Sequence, residues 1–187
     1  LGGEHLVTLP PVERLYKQYP DLHIIHFDAH ADLRDDYLGA RLSHACVLRR
    51  IHDLVGDGRI HQFGIRSGER GEFEFAAAHT DMHPLTLGGF GEVRAALDEI
   101  TSLLAGRNVP VYVTVDLDVL DPSEFPGTGT PEAGGINFLE LLDSLIMIAS
   151  RLNVVGADLV ELAPSLDSSG RSTALACKLL REVLLAL

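Results

Sequence analysis

The chain alternates between short apolar or β-branched runs and longer segments in which apolar residues recur every three or four positions. The short runs predict strands at 23–27, 60–65, 82–85, 111–116 and 154–162. The longer segments predict helices at 10–19, 43–55, 90–104, 137–152 and 172–187, with a shorter helix that ends near Ala78. Because strands alternate with helices, we expect an α/β fold built from βα units around a mostly parallel sheet. Ser43 and Asn137 are the expected N-caps of two helices.

One predicted strand leads directly into a cluster of polar residues. The segment 24–32 reads Ile-Ile-His-Phe-Asp-Ala-His-Ala-Asp, so Asp28, His30 and Asp32 follow one another at intervals of two. In extended backbone such residues point to the same side, which brings two carboxylates and an imidazole to one point. Oxygen and nitrogen ligands of this kind suit a divalent metal ion. Taken alone, the triplet is equally compatible with polar residues that leave a strand for a loop.

Two further segments add ligands of the same type. Asp116 and Asp118 follow the most apolar strand, and neighbouring buried carboxylates repel each other unless a cation compensates. The segment 1–5, Leu-Gly-Gly-Glu-His, predicts the tail of a strand that breaks into a glycine turn and ends in His5. Functional loops meet beyond the carboxyl ends of parallel strands. The polar residues expected at those ends are His5, Asp28, Arg66, Asp116 and Glu161.

Four carboxylates and two imidazoles are more ligands than a closed tetrahedral zinc site takes. They fit two metal ions about 3.5–4 Å apart that share carboxylates, and a set rich in carboxylate without thiolate favours Mn²⁺ over Zn²⁺. Water between two such ions is a nucleophile near neutral pH. We therefore expect two Mn²⁺ per chain. The expected metal ligands are His5, Asp28, His30, Asp32, Asp116 and Asp118.

Composition narrows the class of partner. The 187 residues suffice for one domain with a sizeable core, and a content of 46% hydrophobic and 22% charged residues is typical of a globular protein. The formal net charge of −12 argues against a nucleic-acid partner and is compatible with a small cationic substrate. The two cysteines are too few for a disulfide framework, and no apolar stretch reaches the length of a membrane span. We therefore expect a cytoplasmic protein without membrane or nucleic-acid partners.

Three segments together resemble a known family. Residues 1–8, 24–32 and 114–135 are similar, in this order, to the three signatures of the ureohydrolases. That family contains arginase, agmatinase, guanidinobutyrase and formimidoylglutamase. The segments Ser-His-Ala-Cys at 43–46 and Gly-Thr-Gly-Thr-Pro at 127–131 are most similar to those of agmatinases. The resemblance implies a three-layer α/β/α fold with a mostly parallel sheet, a binuclear manganese site and a homo-oligomer, a trimer or a hexamer.

The resemblance also implies domain limits and residue roles. Family members are usually longer at the N-terminus, so residues 1–187 are expected to be a single ureohydrolase domain that lacks its N-terminal strands. One ion would be held by His5, Asp28, Asp32 and Asp116, and the other by Asp28, His30, Asp116 and Asp118. Asp28 and Asp116 would therefore bridge. The catalytic set implied is Asp32, His44 and Glu161, where His44 shuttles a proton and Glu161 pairs with the guanidinium. Thr130 is implied to lie near the substrate, together with His44 and Glu161.

The loop after Asp32 suggests which guanidino compound is the substrate. Asp35 and Asp36 in this loop would repel a carboxylate and attract a distal ammonium group. We therefore expect hydrolysis of agmatine, which carries no carboxylate, to putrescine and urea. Arg34 is a complication, because it could serve the carboxylate of a substrate such as guanidinobutyrate.

Several alternatives stay open. The protein could be another ureohydrolase, namely a guanidinobutyrase, an arginase or a formimidoylglutamase, or an inactive truncated metal-binding module. A deacetylase of the histone-deacetylase type has a similar fold but uses one zinc and fewer ligands, so the six ligands argue against it. Arg66 is expected to order its own loop. The histidines expected to be structural or solvated are His23, His26, His52, His61, His79 and His83.

Overall fold

The computed structural model describes residues 2–87 and 89–187. In this part of the chain, five strands form one sheet in the order β3-β2-β1-β4-β5, and all neighbouring strands are parallel. The strands are β1 (His23–Phe27), β2 (Ile60–Phe63), β3 (Asp81–His83), β4 (Pro110–Asp116) and β5 (Asn153–Val160). The helices are α1 (Leu9–Tyr16), α2 (Val47–Val55), α3 (Arg70–His79), α4 (Phe90–Arg107), α5 (Phe138–Arg151) and α6 (Arg171–Ala186).

The sheet is covered by helices on both faces. Side chains alternate along a strand, so Ile24 of β1 packs into a core with residues of α1 and α2, whereas Ile25 and Phe27 pack into a core with residues of α4, α5 and α6. Both cores are built from fully buried aliphatic and aromatic side chains. The predicted three-layer α/β/α architecture with a parallel sheet is therefore confirmed.

The parallel sheet brings the predicted site residues to one edge. Asp28 directly follows β1, Asp116 is the last residue of β4, and Glu161 directly follows β5. Parallel strands present all their carboxyl ends at the same edge, so these residues must approach one another. Among the described residues, no helix is both long and apolar enough to cross a lipid bilayer.

Element boundaries differ from the predictions at several ends. His5 does not end a strand but opens a 3₁₀ helix, His5–Thr8. The Gly2 N–H donates to the Leu159 carbonyl of β5. Leu1 lies outside the described residues. The Ser43 side chain caps no helix, because a 3₁₀ turn, His44–Cys46, precedes α2.

The predicted cap of α5 is confirmed. The Asn137 side chain accepts a hydrogen bond from the Glu140 N–H, and the Glu140 side chain accepts one from the Asn137 N–H. This reciprocal pair satisfies two backbone donors at the start of the helix.

Candidate metal centre

The structure brings all six predicted metal ligands together, in two groups that share Asp28. In the first ligand group, His5 Nδ1 lies 3.2 Å from Asp28 Oδ2, 3.0 Å from Asp32 Oδ2 and 3.2 Å from Asp116 Oδ2. In the second ligand group, His30 Nδ1 lies 3.0 Å from Asp118 Oδ2 and 3.4 Å from Asp28 Oδ1. Asp28 thus offers one carboxylate oxygen to each group.

Hydrogen bonds from backbone N–H groups orient the carboxylates. The His30 N–H donates to Asp28 Oδ1 at 2.6 Å, the Ala29 N–H to Asp118 Oδ1 at 3.2 Å, and the Asp118 N–H to Asp116 Oδ1 at 2.9 Å. Asp32 has a φ of +54°, a conformation that non-glycine residues seldom adopt. This turn of the backbone directs the Asp32 carboxylate back towards His5.

The electrostatics of the centre favour a bound cation. Burial and the Asp28 charge raise the pKa of Asp32 to about 7, and burial with the charges of Asp28 and Asp118 raises the pKa of Asp116 well above its usual value. Burial disfavours the charged form of His30, but Asp118 and Asp28 outweigh it and raise the His30 pKa to about 11. Four buried carboxylates keep their charges at low cost only when positive charge compensates them, which is what divalent ions supply.

The geometry around His5 also fits a metal ligand. Its Nδ1 is buried and makes no well-aligned hydrogen bond with the described residues, although three carboxylate oxygens surround it. Donor atoms that converge without pairing are typical of ligands around a common ion. The residues present therefore fit the divalent metal pair that the resemblance implies.

Thr114 fixes the tautomer of His5. Its hydroxyl donates to Asp158 Oδ1 at 2.7 Å, so the Thr114 oxygen must accept at its 3.1 Å contact with His5 Nε2. A neutral His5 would then carry its proton on Nε2 and present the Nδ1 lone pair to a metal ion held by the surrounding carboxylates. Metal-bound histidines are commonly oriented in this way by a partner of the other ring nitrogen.

Thr114→Val should weaken Mn²⁺ binding by about 10- to 100-fold, because it removes the acceptor that orients His5 while keeping the shape of the side chain. The measurement is a Mn²⁺ titration followed by calorimetry. Thr101→Val is the matched control, since Thr101 is equally buried and its hydroxyl has no partner among the described residues. Equal Mn²⁺ affinities for the two variants would contradict the assigned role of Thr114.

His26 contributes to the centre in a way that the sequence analysis missed. Its Nδ1 lies 3.1 Å from Gln62 Nε2, which donates, so His26 Nε2 carries the proton and donates to Asp28 Oδ2 at 2.8 Å. Gln62 is held in turn by its 2.9 Å bond to the Ala31 carbonyl. Burial lowers the His26 pKa, which favours this neutral form. The available signal was the interval of two between His26 and Asp28, which puts both on one face of β1.

A cavity of about 320 Å³ opens beside the two ligand groups. It is lined by the predicted residues His44, Thr130 and Glu161, and by Asp32, His30 and Asp116 from the centre itself. Glu161 Oε1 accepts the His5 N–H at 2.6 Å, and burial raises the Glu161 pKa. The Thr130 hydroxyl donates to Asp118 Oδ2 at 3.2 Å.

His44 lies at the open side of this cavity. Its side chain is 46% exposed, and its Nδ1 lies 3.5 Å from Glu4 Oε1. The Tyr37 ring stands edge-on to the imidazole, with 5.6 Å between the ring centroids. Solvent therefore reaches the His44 side chain at the mouth of the cavity.

Asp35 and Asp36, in the loop after Asp32, do not face the cavity as expected from the sequence. Asp35 Oδ1 accepts a 2.6 Å hydrogen bond from Arg50 and a 3.2 Å bond from Arg41, and Asp36 Oδ1 accepts the Gly39 N–H. Neither Asp35 nor Asp36 lines the cavity. The expectation that these two carboxylates attract a substrate ammonium is therefore wrong, because they serve the loop itself.

Two other carboxylates, those of Glu69 and Glu72, line the cavity. Glu72 is buried, and its carboxylate already accepts three hydrogen bonds. The donors are the backbone N–H groups of Leu33 and Glu69 and the Nε–H of Arg34. Glu69 is 65% exposed; its Oε1 lies 3.1 Å from Arg34 Nη1, and its side chain also belongs to the capping box at the start of α3. Glu69 comes from the loop that follows β2, which sequence reasoning did not connect with the loop after β1.

Arg66 organises the surrounding loops, as predicted. Its guanidinium donates five hydrogen bonds of 2.7–3.3 Å to backbone carbonyls. These carbonyls belong to Gly64, Asp118, Val119, Glu132 and Ala133. The segments that carry Asp118 and Thr130 are thereby tied to the end of β2.

Comparison with known proteins identifies relatives of the chain. An agmatinase of Bacillus cereus is 53% identical over 186 residues, which are 99% of this chain and 62% of that protein. A guanidinobutyrase of Pseudomonas aeruginosa is 32% identical, and the match covers 100% of this chain and 59% of that protein. The crystal structure of the agmatine ureohydrolase of Thermoplasma volcanium superimposes with a TM-score of 0.84 at 34% identity, covering 99% of this chain and 60% of that chain.

The chain therefore spans less than two thirds of the length of these relatives. The model of the family described as the arginase family matches residues 1–186. A match over nearly the whole chain shows the family directly: this chain belongs to the arginase family.

Proposed function

We propose that this chain carries the active site of a binuclear manganese hydrolase that cleaves the guanidinium group of agmatine to give putrescine and urea. The observation that carries the proposal is the sharing of Asp28 between two ligand groups at the wall of a cavity that also contains Glu161. The two Asp28 oxygens lie 3.2 Å from His5 Nδ1 and 3.4 Å from His30 Nδ1, an arrangement suited to a pair of divalent ions that share a carboxylate.

The six ligands would hold the two Mn²⁺ ions, with Asp28 shared between them. When bound, the metal pair lowers the pKa of water, so that a nucleophile is available near neutral pH. The bridging role of Asp116 stays a prediction, supported by its carboxylate beside both His5 and the Asp118 backbone.

The cavity residues supply the remaining steps. The Glu161 carboxylate can form a bidentate pair with a planar guanidinium and orient its carbon towards the metal centre. When water adds to that carbon, the C–N bond to the alkylamine must break, and the leaving nitrogen needs a proton. His44 is suited to deliver this proton because it lies at the cavity mouth and an imidazole can serve as a general acid.

Agmatine is favoured among guanidino compounds by the charges on the cavity wall and by the relatives. The exposed Glu69 carboxylate can receive the distal ammonium group of agmatine. The 53% identity to an agmatinase supports the same assignment. The second candidate is a guanidino acid, because Arg34 also lines the cavity and could pair with a carboxylate; the guanidinobutyrase relative supports this alternative.

Urea release from agmatine, 4-guanidinobutyrate and arginine, with and without Mn²⁺, tests the proposal. We expect Mn²⁺-dependent release that is fastest with agmatine. Faster release from arginine or 4-guanidinobutyrate would overturn the substrate assignment, and no release from any of them would overturn the activity. The proposal includes assembly as a trimer or hexamer, which rests on the resemblance alone and can be checked by light scattering.

Glu69→Gln should raise the KM for agmatine about two- to fivefold with little change in kcat, because an exposed ion pair contributes at most about 1 kcal/mol. Steady-state kinetics with agmatine provide the measurement. Asp35→Asn is the matched control, since it removes an equal charge from the loop but not from the cavity wall. A KM that rises in Asp35→Asn and not in Glu69→Gln would contradict the assignment.

A further inference from the structure

A second cluster of possible ligand atoms lies at the opposite edge of the sheet. His52 is near the end of α2, Asp57 is in the turn between α2 and β2, and His79 is the last residue of α3. Asp57 Oδ1 lies 2.8 Å from His52 Nε2 and 2.8 Å from His79 Nδ1. The turn precedes β2, so this cluster is at the amino ends of the strands, whereas the candidate metal centre is at their carboxyl ends.

The backbone holds the three residues of this cluster in place. The Gly56 N–H donates to the His52 carbonyl, and the Gly58 N–H donates to the His79 carbonyl, both at 2.9 Å. The two glycines have φ values of +79° and +69°, which let the chain turn tightly on either side of Asp57. The turn that carries the carboxylate is therefore bonded to both histidines through their own main chains.

An aromatic wall orients the two imidazoles. The Phe75 ring lies 4.9 Å from the His52 ring and 4.3 Å from the His79 ring, measured between centroids. The Arg49 guanidinium covers Phe75 at 3.8 Å from its centroid. Packing on one side thus restricts the rings, while Asp57, 69% exposed, leaves the other side of the cluster open to solvent.

We propose that His52, Asp57 and His79 form a second metal site that binds one Zn²⁺ ion, with water in the remaining position. The three ligand atoms lie within 4.8 Å of one another, as a single ion requires. Two imidazole nitrogens and one carboxylate oxygen are ligands that zinc accepts at about 2.0–2.2 Å. The present contacts must widen by a few tenths of an ångström, and the exposed Asp57 side chain can move that far.

The ligand atoms of the second site favour a different metal ion from those of the first. A centre dominated by carboxylates favours Mn²⁺, whereas two imidazoles with one carboxylate favour ions later in the series, such as Zn²⁺. Because the two sites lie at opposite ends of the strands, we expect variants of the second site to keep their Mn²⁺ loading at the first. The ion would join α2, the following turn and α3 on the amino side of the sheet.

Equilibrium dialysis against Zn²⁺ after Mn²⁺ loading, followed by elemental analysis, tests the proposal. The full chain should bind one more Zn²⁺ ion than either Asp57→Asn or His79→Gln. Glu74→Gln is the control for Asp57→Asn, because Glu74 is an exposed carboxylate on α3 that pairs with Arg70 outside the cluster. Equal zinc content in the parent chain and both cluster variants would overturn the proposal.

A measurement on the unaltered chain covers the case in which a variant fails to fold. Crystals soaked in Zn²⁺ should give an anomalous peak within about 2.0–2.2 Å of His52 Nε2, His79 Nδ1 and an Asp57 oxygen. No peak at this position in zinc-soaked crystals would overturn the site independently of any substitution.

Discussion

Asp28→Asn should reduce Mn²⁺-dependent urea release by more than about 100-fold, since loss of a mere supporting partner of a metal ligand already costs about 10- to 100-fold. Asp28 offers one oxygen to His5 in the first ligand group and the other to His30 in the second. An amide keeps the shape of the side chain but loses the charge and one acceptor oxygen. Both groups should therefore lose Mn²⁺, which elemental analysis of the purified variant measures directly.

Asp143→Asn is the matched control for this prediction. Asp143 is an exposed residue of α5 that pairs with Arg94, and surface pairs of this kind contribute about 1 kcal/mol or less. The control should retain its Mn²⁺ content and its activity. If Asp28→Asn folds normally and still binds two Mn²⁺ ions per chain, the assigned sharing of Asp28 is wrong.

Glu161→Gln should lower kcat/KM for agmatine at least about 30-fold, because removing one partner of a buried, hydrogen-bonded charge pair costs about 2–5 kcal/mol. The glutamine oxygen can still accept the His5 N–H, so the link between Glu161 and the first ligand group is kept. The loss should therefore come from the guanidinium pairing rather than from the metals. Steady-state kinetics and a Mn²⁺ count on the same sample separate the two causes.

Glu13→Gln, an exposed change of the same type on α1, is the control for Glu161→Gln and should behave like the parent chain. A Glu161→Gln variant with full Mn²⁺ content and unchanged kcat/KM would show that Glu161 does not bind the guanidinium. A variant that loses Mn²⁺ would instead make Glu161 a support for His5.

The edge of the sheet that carries the centre was predictable because it depends on local patterns. The run 23–27 predicts a buried strand, strand direction follows from alternation with helices, and Asp28 and Asp116 stand where two such strands end. These facts suffice to bring the ligands together, whatever the details of the loops. The family resemblance implied that Asp28 is shared, whereas the assignment of one oxygen to each group became visible only in the structure.

Contacts between loops were not predictable from local patterns. The pairing of Asp35 with Arg50 depends on how the loop after β1 packs against α2. The place of Glu69 on the cavity wall depends on how the loop after β2 lies beside the loop after β1. The bond from Thr114 to Asp158 joins neighbouring strands, and its role follows only from hydroxyl geometry. Propensity and periodicity describe neighbours along the chain and say little about such partners.

The five hydrogen bonds from Arg66 to backbone carbonyls affect how the protein responds to acid. A guanidinium stays protonated throughout the range in which histidines and carboxylates titrate. The hydrogen bonds from Arg66 to the segments that carry Asp118 and Thr130 therefore do not depend on pH in that range. Acidification should therefore release the metal ions, because protons compete with them for the carboxylates and imidazoles, while the surrounding loops keep their shape. Activity lost at low pH should accordingly return at once on neutralisation with Mn²⁺, with no slow step of loop refolding.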